Sequence, residues 1–305
     1  MSGVKPVPIT APKFVKPVRK IDGHVHLRTK KGYNVFTPEE RLAFNEVMDI
    51  DHSLILTVEK PLGLSAEELL EDPRIFAEDA VSICEQFQGK FSWFCNLIPD
   101  GTSETYKILE KYKKMGAVGV GEVAIPMRFD DPRFDHMLDC CQSLEMPIMT
   151  HMNSTLTNKG IVDEPGLILL ERALKKYPKL VYIGHSQPFW SEIDLCDGNT
   201  DRDGYNSGPV KAGRLVDLLS NYENLYGDLS ANSGGNAIMR DPDFGNAFLE
   251  KFQDKLMYGT DTLSTNLHYP LGAYLDSLLA QNKLTRETYA KICRYNIVKL
   301  LDLGI

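Results

Sequence analysis

The sequence predicts a single α/β domain, a (β/α)8 barrel over residues 20–305, and three observations lead there. Eight short apolar runs alternate with longer stretches of helical character, the pattern of βα units around a parallel sheet. The first run is not followed by a glycine-rich phosphate loop of the kind a dinucleotide-binding sheet usually carries. The chain has 305 residues, enough for one barrel of about 250 residues with its loops.

In chain order, residues 1–19 (MSGVKPVPITAPKFVKPVR) read as a basic, proline-bearing arm, surface-draped or flexible. The arm lacks the apolar core of a secretory signal. The strand candidates are Ile21–Leu27, Ser53–Val58, Phe91–Ile98, Ala117–Val123, Pro147–His151, Leu180–His185, Leu225–Leu229 and Lys255–Gly259. Between them, Pro38–Met48 reads as a helix because Thr37 stands at the N-cap, followed by Pro38 and two glutamates. Ser65–Glu71 opens with a capping-box pattern from Ser65 to Glu68. The remaining helix candidates are Pro73–Gln86, Ser103–Lys114, Pro132–Leu144, Pro165–Tyr177, Val210–Asn221, Asp243–Phe252 and Thr285–Leu301. Phe189–Gly208, rich in Asp, Gly and Asn, reads as a long loop after the sixth strand, a place where lids and binding loops occur.

Composition narrows the classes. Apolar residues make up 43% and charged residues 25% of the chain, the balance of a globular enzyme. The net charge is −8 and the pI about 5.4, which disfavours a nucleic-acid partner. No run reaches the roughly 18 apolar residues needed to span a bilayer. Cys84, Cys95, Cys140, Cys141, Cys196 and Cys293 form no C-x-x-C pair, so reduced thiols and a cytoplasmic location are expected. A homo-oligomer is compatible with all of this.

Asp22-Gly-His24-Val-His26 carries the strongest chemical signal. Residues two apart on a strand share a face, so both imidazoles point one way at a strand's carboxyl end. Glu122, His151 and His185 end the fourth, fifth and sixth strands, and Asp261 follows the eighth. From His26 onward the spacings correspond to 32, 29, 34 and 38 residues per βα unit, against about 31 expected for a barrel. One rule, the carboxyl end of a barrel strand, therefore collects them all. Mixed imidazole and carboxylate donors suit Zn²⁺ best, as one or two ions, with Mn²⁺, Fe²⁺, Co²⁺ or Ni²⁺ as other candidates.

D-G-H-V-H, G-E after strand four, T-H after strand five, G-H-S after strand six and Y-G-T-D after strand eight together resemble the amidohydrolase superfamily. The likeness extends to R-Y-N-I-V-K-L-L-D-L at Arg294–Leu303, which is similar to the ending of the amidohydrolase-related branch (amidohydrolase 2). Many two-metal members bridge their ions with a carboxylated lysine on strand four. This chain has Glu122 there, resembling TatD-like enzymes. The resemblance implies His24, His26, His151, His185 and Asp261 as metal ligands, and Glu122 either as a sixth or, as in members of the amidohydrolase-related branch that bind one metal without a strand-four ligand, as a carboxylate behind a ligand or facing the substrate. It also implies Asp261 as the group that takes and returns a proton, and His185 as either a second-metal ligand or a group polarising the scissile bond.

Arg28 lies two beyond His26 and is an anion-anchor candidate, as in dihydroorotase-type members; Asn96, Arg128, Asn153, Gln187, Trp190 and Asn232 follow strands three to seven and could line a substrate pocket. Asp22 either orients a ligand imidazole or ends a strand. His52, His136 and His268 lack the strand-end context, and Lys60 is the lysine placed for Schiff-base chemistry, a route the metal ligands set aside. The expected activity is hydrolysis of an amide, ester, lactone or phosphoester bond of a small molecule by metal-activated water. A metal-dependent decarboxylase of the amidohydrolase-related branch is the rival, a TatD-type nuclease is disfavoured by charge, and a non-catalytic ligand-binding barrel is the rival of another class.

Overall fold

The computed structural model describes residues 15–32, 34–59, 71–196, 200–267 and 269–305. Most of the N-terminal arm, the expected helix at Ser65–Glu71 up to its last residue, Lys60 and His268 lie outside the described residues. Eight parallel barrel strands are present among them: β1 (Lys20–Val25), β2 (Ile50–Leu56), β3 (Phe91–Phe94), β4 (Val120–Val123), β5 (Ile148–Asn153), β6 (Tyr182–His185), β7 (Leu225–Asp228) and β8 (Leu256–Met257). Each pairs with its successor in parallel; a single bridge, Cys95 to Val120, joins β3 to β4. Two backbone hydrogen bonds close the ring, Gly23 N–H to Tyr258 O and Asp261 N–H to His24 O, each 3.0 Å. The chain is a (β/α)8 barrel.

The helices are α1 (Pro38–Met48), α2 (Ala77–Gln86), α3 (Ser103–Lys114), α4 (Pro132–Ser143), α5 (Ile168–Lys176), α6 (Gln187–Ser191), α7 (Arg214–Asn221), α8 (Ala231–Met239), α9 (Pro242–Lys251), α10 (Leu271–Ala280), α11 (Arg286–Ala290) and α12 (Asn296–Leu300). α1 starts as its sequence demands. Thr37 Oγ1 accepts from Glu40 N–H, and Glu40 Oε2 accepts from Thr37 N–H, so two end donors are satisfied reciprocally.

Several expectations need correction. Phe189–Ser191, read as loop, are the buried end of α6. The helix expected at Thr285–Leu301 is divided by a π turn at Lys291–Tyr295. The turn has a use: Ile292 O accepts from Tyr258 N–H at 2.9 Å, binding the C-terminal helix to the end of β8. α8 and α10 were not expected at all.

The core has two parts. Ile21, Leu54, Leu56, Phe94, Met149, Ile183 and Met257 fill the barrel, with Ile297, Leu301 and Leu303 from the C-terminus packed on them. A larger apolar shell lies between strands and helices. The described part of the arm is tied down, with Lys16 Nζ 3.0 Å from Asp49 and 2.8 Å from Asp276. All six cysteines are free. No described helix is long and apolar enough to cross a membrane.

Candidate metal centre

Five strand ends deliver polar side chains to one mouth of the barrel. His24 and His26 come from β1, Glu122 from β4, His151 from β5, His185 from β6, and Asp261 from just beyond β8. The ladder shifts register between Asp22 and Val25 and between Val120 and Val123. Such irregularities re-aim side chains beside active sites, and these two flank His24 and Glu122. The chain at β8 must also pass very close to its neighbours. A Cβ on Gly259 would lie 2.8 Å from Asp228 Oδ1 and 3.1 Å from His24 Cβ, so only glycine fits the Y-G-T-D run here.

The donor atoms converge. His24 Nε2 is 3.2 Å from His26 Nε2, 3.6 Å from Glu122 Oε2 and 3.7 Å from Asp261 Oδ1. His26 Nε2 is 3.3 Å from Glu122 Oε2 and 3.7 Å from Asp261 Oδ1. The second Glu122 oxygen, Oε1, faces His151 Nδ1 at 2.7 Å and His185 Nε2 at 3.4 Å. His24, His26 and Asp261 offer atoms within 4.8 Å of one another, as do His24, Glu122 and His185. Ligands about 2.0–2.2 Å from a common ion in octahedral or tetrahedral geometry stand roughly 2.8–3.6 Å apart, and the longest of the spacings above, 3.7 Å, exceeds that by only about 0.1 Å. The residues present therefore fit one divalent ion, and the two-sided placement of Glu122 offers a second donor set.

The electrostatics point the same way. Burial opposes charge on His24, yet Asp261, Glu122 and Asp228 outweigh it and hold the ring well above the ordinary imidazole value. His151 is raised too, with Glu122 overcoming burial. Burial would push Glu122 up, but His24, His151 and His26 hold it well below the usual carboxylate range. Carboxylates that draw protons onto imidazoles in this way are a cluster in which a cation can replace those protons.

Asp228 went unnoticed in the sequence, hidden inside the apolar run LYGDL. Its Oδ2 lies 2.7 Å from His24 Nδ1 and 3.1 Å from His185 Nδ1. With an ion in place of the shared protons, both rings would keep hydrogen on Nδ1, toward Asp228, and turn Nε2 lone pairs to the centre, the carboxylate–histidine arrangement found behind metals. Ser230 Oγ donates to Asp228 Oδ2 at 2.6 Å and Trp190 Nε1 donates to Asp228 O at 2.8 Å. Trp190 is only 1% exposed, so it props Asp228 from behind instead of facing a substrate. Trp190→Phe leaves that buried carbonyl unpaired and should cost about 1–3 kcal/mol, readable as a lower urea midpoint with unchanged slope.

The other sequence candidates are scattered. Asn96 is buried, and its Nδ2 donates to Glu122 O at 2.7 Å. Arg28 is half-buried and donates to Leu27 O at 3.0 Å. Arg128 is exposed and held by Asp130 and Glu164, each at 2.9 Å. Asn153 makes a turn, accepting from Ser154 N–H at 2.8 Å and donating to Lys159 O at 2.9 Å. Gln187 Nε2 donates to Tyr205 Oη at 3.0 Å. Asn232 lies in the first turn of α8. Asp22 binds no imidazole; its one contact with His24 is to the backbone N–H, at 3.2 Å. His52 bonds to Gly89 O and Ser92 Oγ, and His136 to Thr102 O, all away from the centre.

A model of the amidohydrolase family matches residues 21–303. No curated protein matches this chain. Among solved structures, a probable 2-pyrone-4,6-dicarboxylic acid hydrolase from Acinetobacter baumannii with citric acid bound superposes with a TM-score of 0.56 at 14% identity, covering 94% of this chain and 100% of that one. A 5-carboxyvanillate decarboxylase from Novosphingobium aromaticivorans, complexed with manganese and 4-hydroxy-3-methoxy-5-nitrobenzoic acid, gives 0.61 at 13% identity, covering 94% and 97%. A 2,6-dihydroxybenzoate decarboxylase from Rhizobium gives 0.55 at 15% identity, covering 94% and 100%. These likenesses concern the fold.

Proposed function

The chain belongs to the amidohydrolase family, and we propose that it is a metal-dependent hydrolase acting on an ester, lactone, amide or phosphoester bond of a small molecule. The observation that carries this reading is the division of Glu122 between two donor sets, Oε2 toward His24 and His26 and Oε1 toward His151 and His185. A carboxylate so placed suits a pair of ions, and paired ions are a recurring hydrolytic device. Zn²⁺ is the preferred ion on donor type, with Mn²⁺ next. When bound, a divalent ion polarises the scissile group and lowers the pKa of a water toward about 7.

The chain's own residues do the rest. Asp261 Oδ1 faces the two β1 imidazoles at 3.7 Å, which leaves Oδ2 to take the proton of the attacking water and pass it to the leaving group. Asp228 keeps hydrogen on Nδ1 of His24 and His185, so neither ring drifts to the wrong tautomer. Of the expected substrate contacts, Arg28 and Asn96 keep that role in this reading. Asn96 lies beside the donor set, its Nδ2 bonded to Glu122 O at 2.7 Å. The substrate is small, and the protein works in the cytoplasm with residues 1–19 as an appendage to the catalytic domain.

A second reading, loss of CO₂ from a small aromatic carboxylate, is supported by the decarboxylases among the structural relatives. The two are separated by what the reaction releases. Purified protein loaded with Zn²⁺ or Mn²⁺ is offered a panel of lactones, esters and hydroxybenzoates. Acid release without CO₂ is the expected outcome; CO₂ with proton uptake would establish the second reading. Fewer than about 0.2 equivalents of ion after metal-supplemented growth would leave a ligand-binding barrel.

A further inference from the structure

Behind the candidate centre lies a buried ion pair that touches none of the donor atoms. Asp22 and Arg41 are both 0% exposed. Asp22 Oδ1 accepts from His24 N–H at 3.2 Å and from Thr260 N–H at 2.8 Å. Asp22 Oδ2 accepts from Thr260 Oγ1 at 2.6 Å and from Arg41 Nη2. The Arg41 guanidinium also reaches Thr260 Oγ1 and Thr262 O, both at 3.4 Å. Its Cζ lies 4.9 Å from the ring centroid of Phe44 and 5.9 Å from that of Phe36.

Beyond the ion pair itself, these bonds end on the backbone N–H of His24 or on Thr260 and Thr262, the neighbours of Asp261. Thr260 and Thr262 bracket Asp261, whose own N–H bonds to His24 O and whose φ is +52°. That left-handed conformation is uncommon for a residue with a side chain, so the backbone on either side must hold it. The place is the seam of the barrel, where β8 is two residues long and the β1–β8 closure rests on isolated hydrogen bonds. Two charges without water are costly unless geometry and further bonds repay them, and a simple apolar contact would stabilise as well. What an apolar contact cannot do is fix four hydrogen-bonding groups, one on β1 and three on the chain just beyond β8, in one register.

We propose that Arg41 and Asp22 form a positioning pair that sets Asp261 against His24, residues 237 positions apart in the sequence. The pair acts through the backbone of Thr260 and Thr262, not on substrate or ion. This rests on the reading of His24 and Asp261 as metal ligands.

The test measures the affinity of the full chain for Zn²⁺ and Mn²⁺ by chelator competition, with thermal melts of the metal-free protein alongside. The balanced double variant Asp22→Asn/Arg41→Met keeps volume and removes both charges. Thr260→Val, the gentler change, removes one hydroxyl and guards against a double variant that does not fold. Expected are affinity losses of roughly 10–100-fold for the double variant and about tenfold for Thr260→Val, the range for groups supporting metal ligands. The control is a second ion pair anchored on β1, between buried Lys20 and half-buried Asp276 of α10, 2.9 Å apart. Lys20→Met/Asp276→Asn should lower the melting temperature and leave metal affinity within twofold. Wild-type affinity in both test variants overturns the positioning role alone, as does an equal loss in the control. A wild-type chain that takes up neither ion overturns the centre, and the proposal with it.

Discussion

Glu122→Gln is expected to reduce the divalent ions held per chain from about two to about one and to lower hydrolysis at least about a hundredfold. The change is nearly isosteric, so any effect reports charge and donor type. Glu122 is 9% exposed and lies within 3.6 Å of nitrogen atoms from His24, His26, His151 and His185. Gln presents one acceptor oxygen and one donor nitrogen. Whichever way it turns, an N–H points at one of the two imidazole pairs, where a lone pair is needed. One donor set is therefore lost and the other weakened. Elemental analysis of protein purified with excess metal, read beside a circular-dichroism spectrum, checks this. Unchanged stoichiometry in a folded variant would remove the two-sided role of Glu122, and with it the main argument for hydrolysis over decarboxylation.

Why some of this was legible in the sequence and some was not follows from the range of the interactions. His24, His26, Glu122, His151, His185 and Asp261 obey a single spatial rule, so spacing alone collects them at one mouth. Asp228 obeys the same rule, at the end of β7, but its short strand reads as apolar filler. A polar residue closing an otherwise apolar barrel strand was the available signal. Arg41 was beyond reach. It sits in a helix with charged neighbours and looks like a surface residue; its burial follows from Asp22, nineteen positions away on another element.

The missed helices differ in cause. LGAYLDSLLA at Leu271–Ala280 places Leu271, Leu275, Leu278 and Leu279 on one buried face, a pattern that sequence periodicity does contain. One helix per βα unit, the rule that assigns Thr285–Leu301 to the eighth unit, leaves no place for it. ANSGGNAIM at Ala231–Met239 contains two glycines and two asparagines, weak helix formers. It is helical through packing: Gly245 of α9 lies so close to Ile238 O that a Cβ would stand 2.0 Å away. Only tertiary structure selects that helix, and propensity argues against it.

Asp261→Asn is expected to retain most of the bound metal while lowering turnover by about 10²–10⁴-fold. The amide oxygen still faces His24 and His26, so one donor survives. What disappears is an oxygen that can hold a proton, first from water and then for the leaving group. These two duties can be told apart by the leaving group. A 4-nitrophenyl ester departs without protonation, an alkyl ester does not. If Asp261 serves both steps, Asp261→Asn should lose about tenfold more rate on the alkyl ester than on the activated one. Equal losses on both would confine Asp261 to generating the nucleophile. Parallel losses of metal and rate would reduce it to a ligand, because a carboxylate that only tethers an ion has no reason to distinguish one leaving group from another.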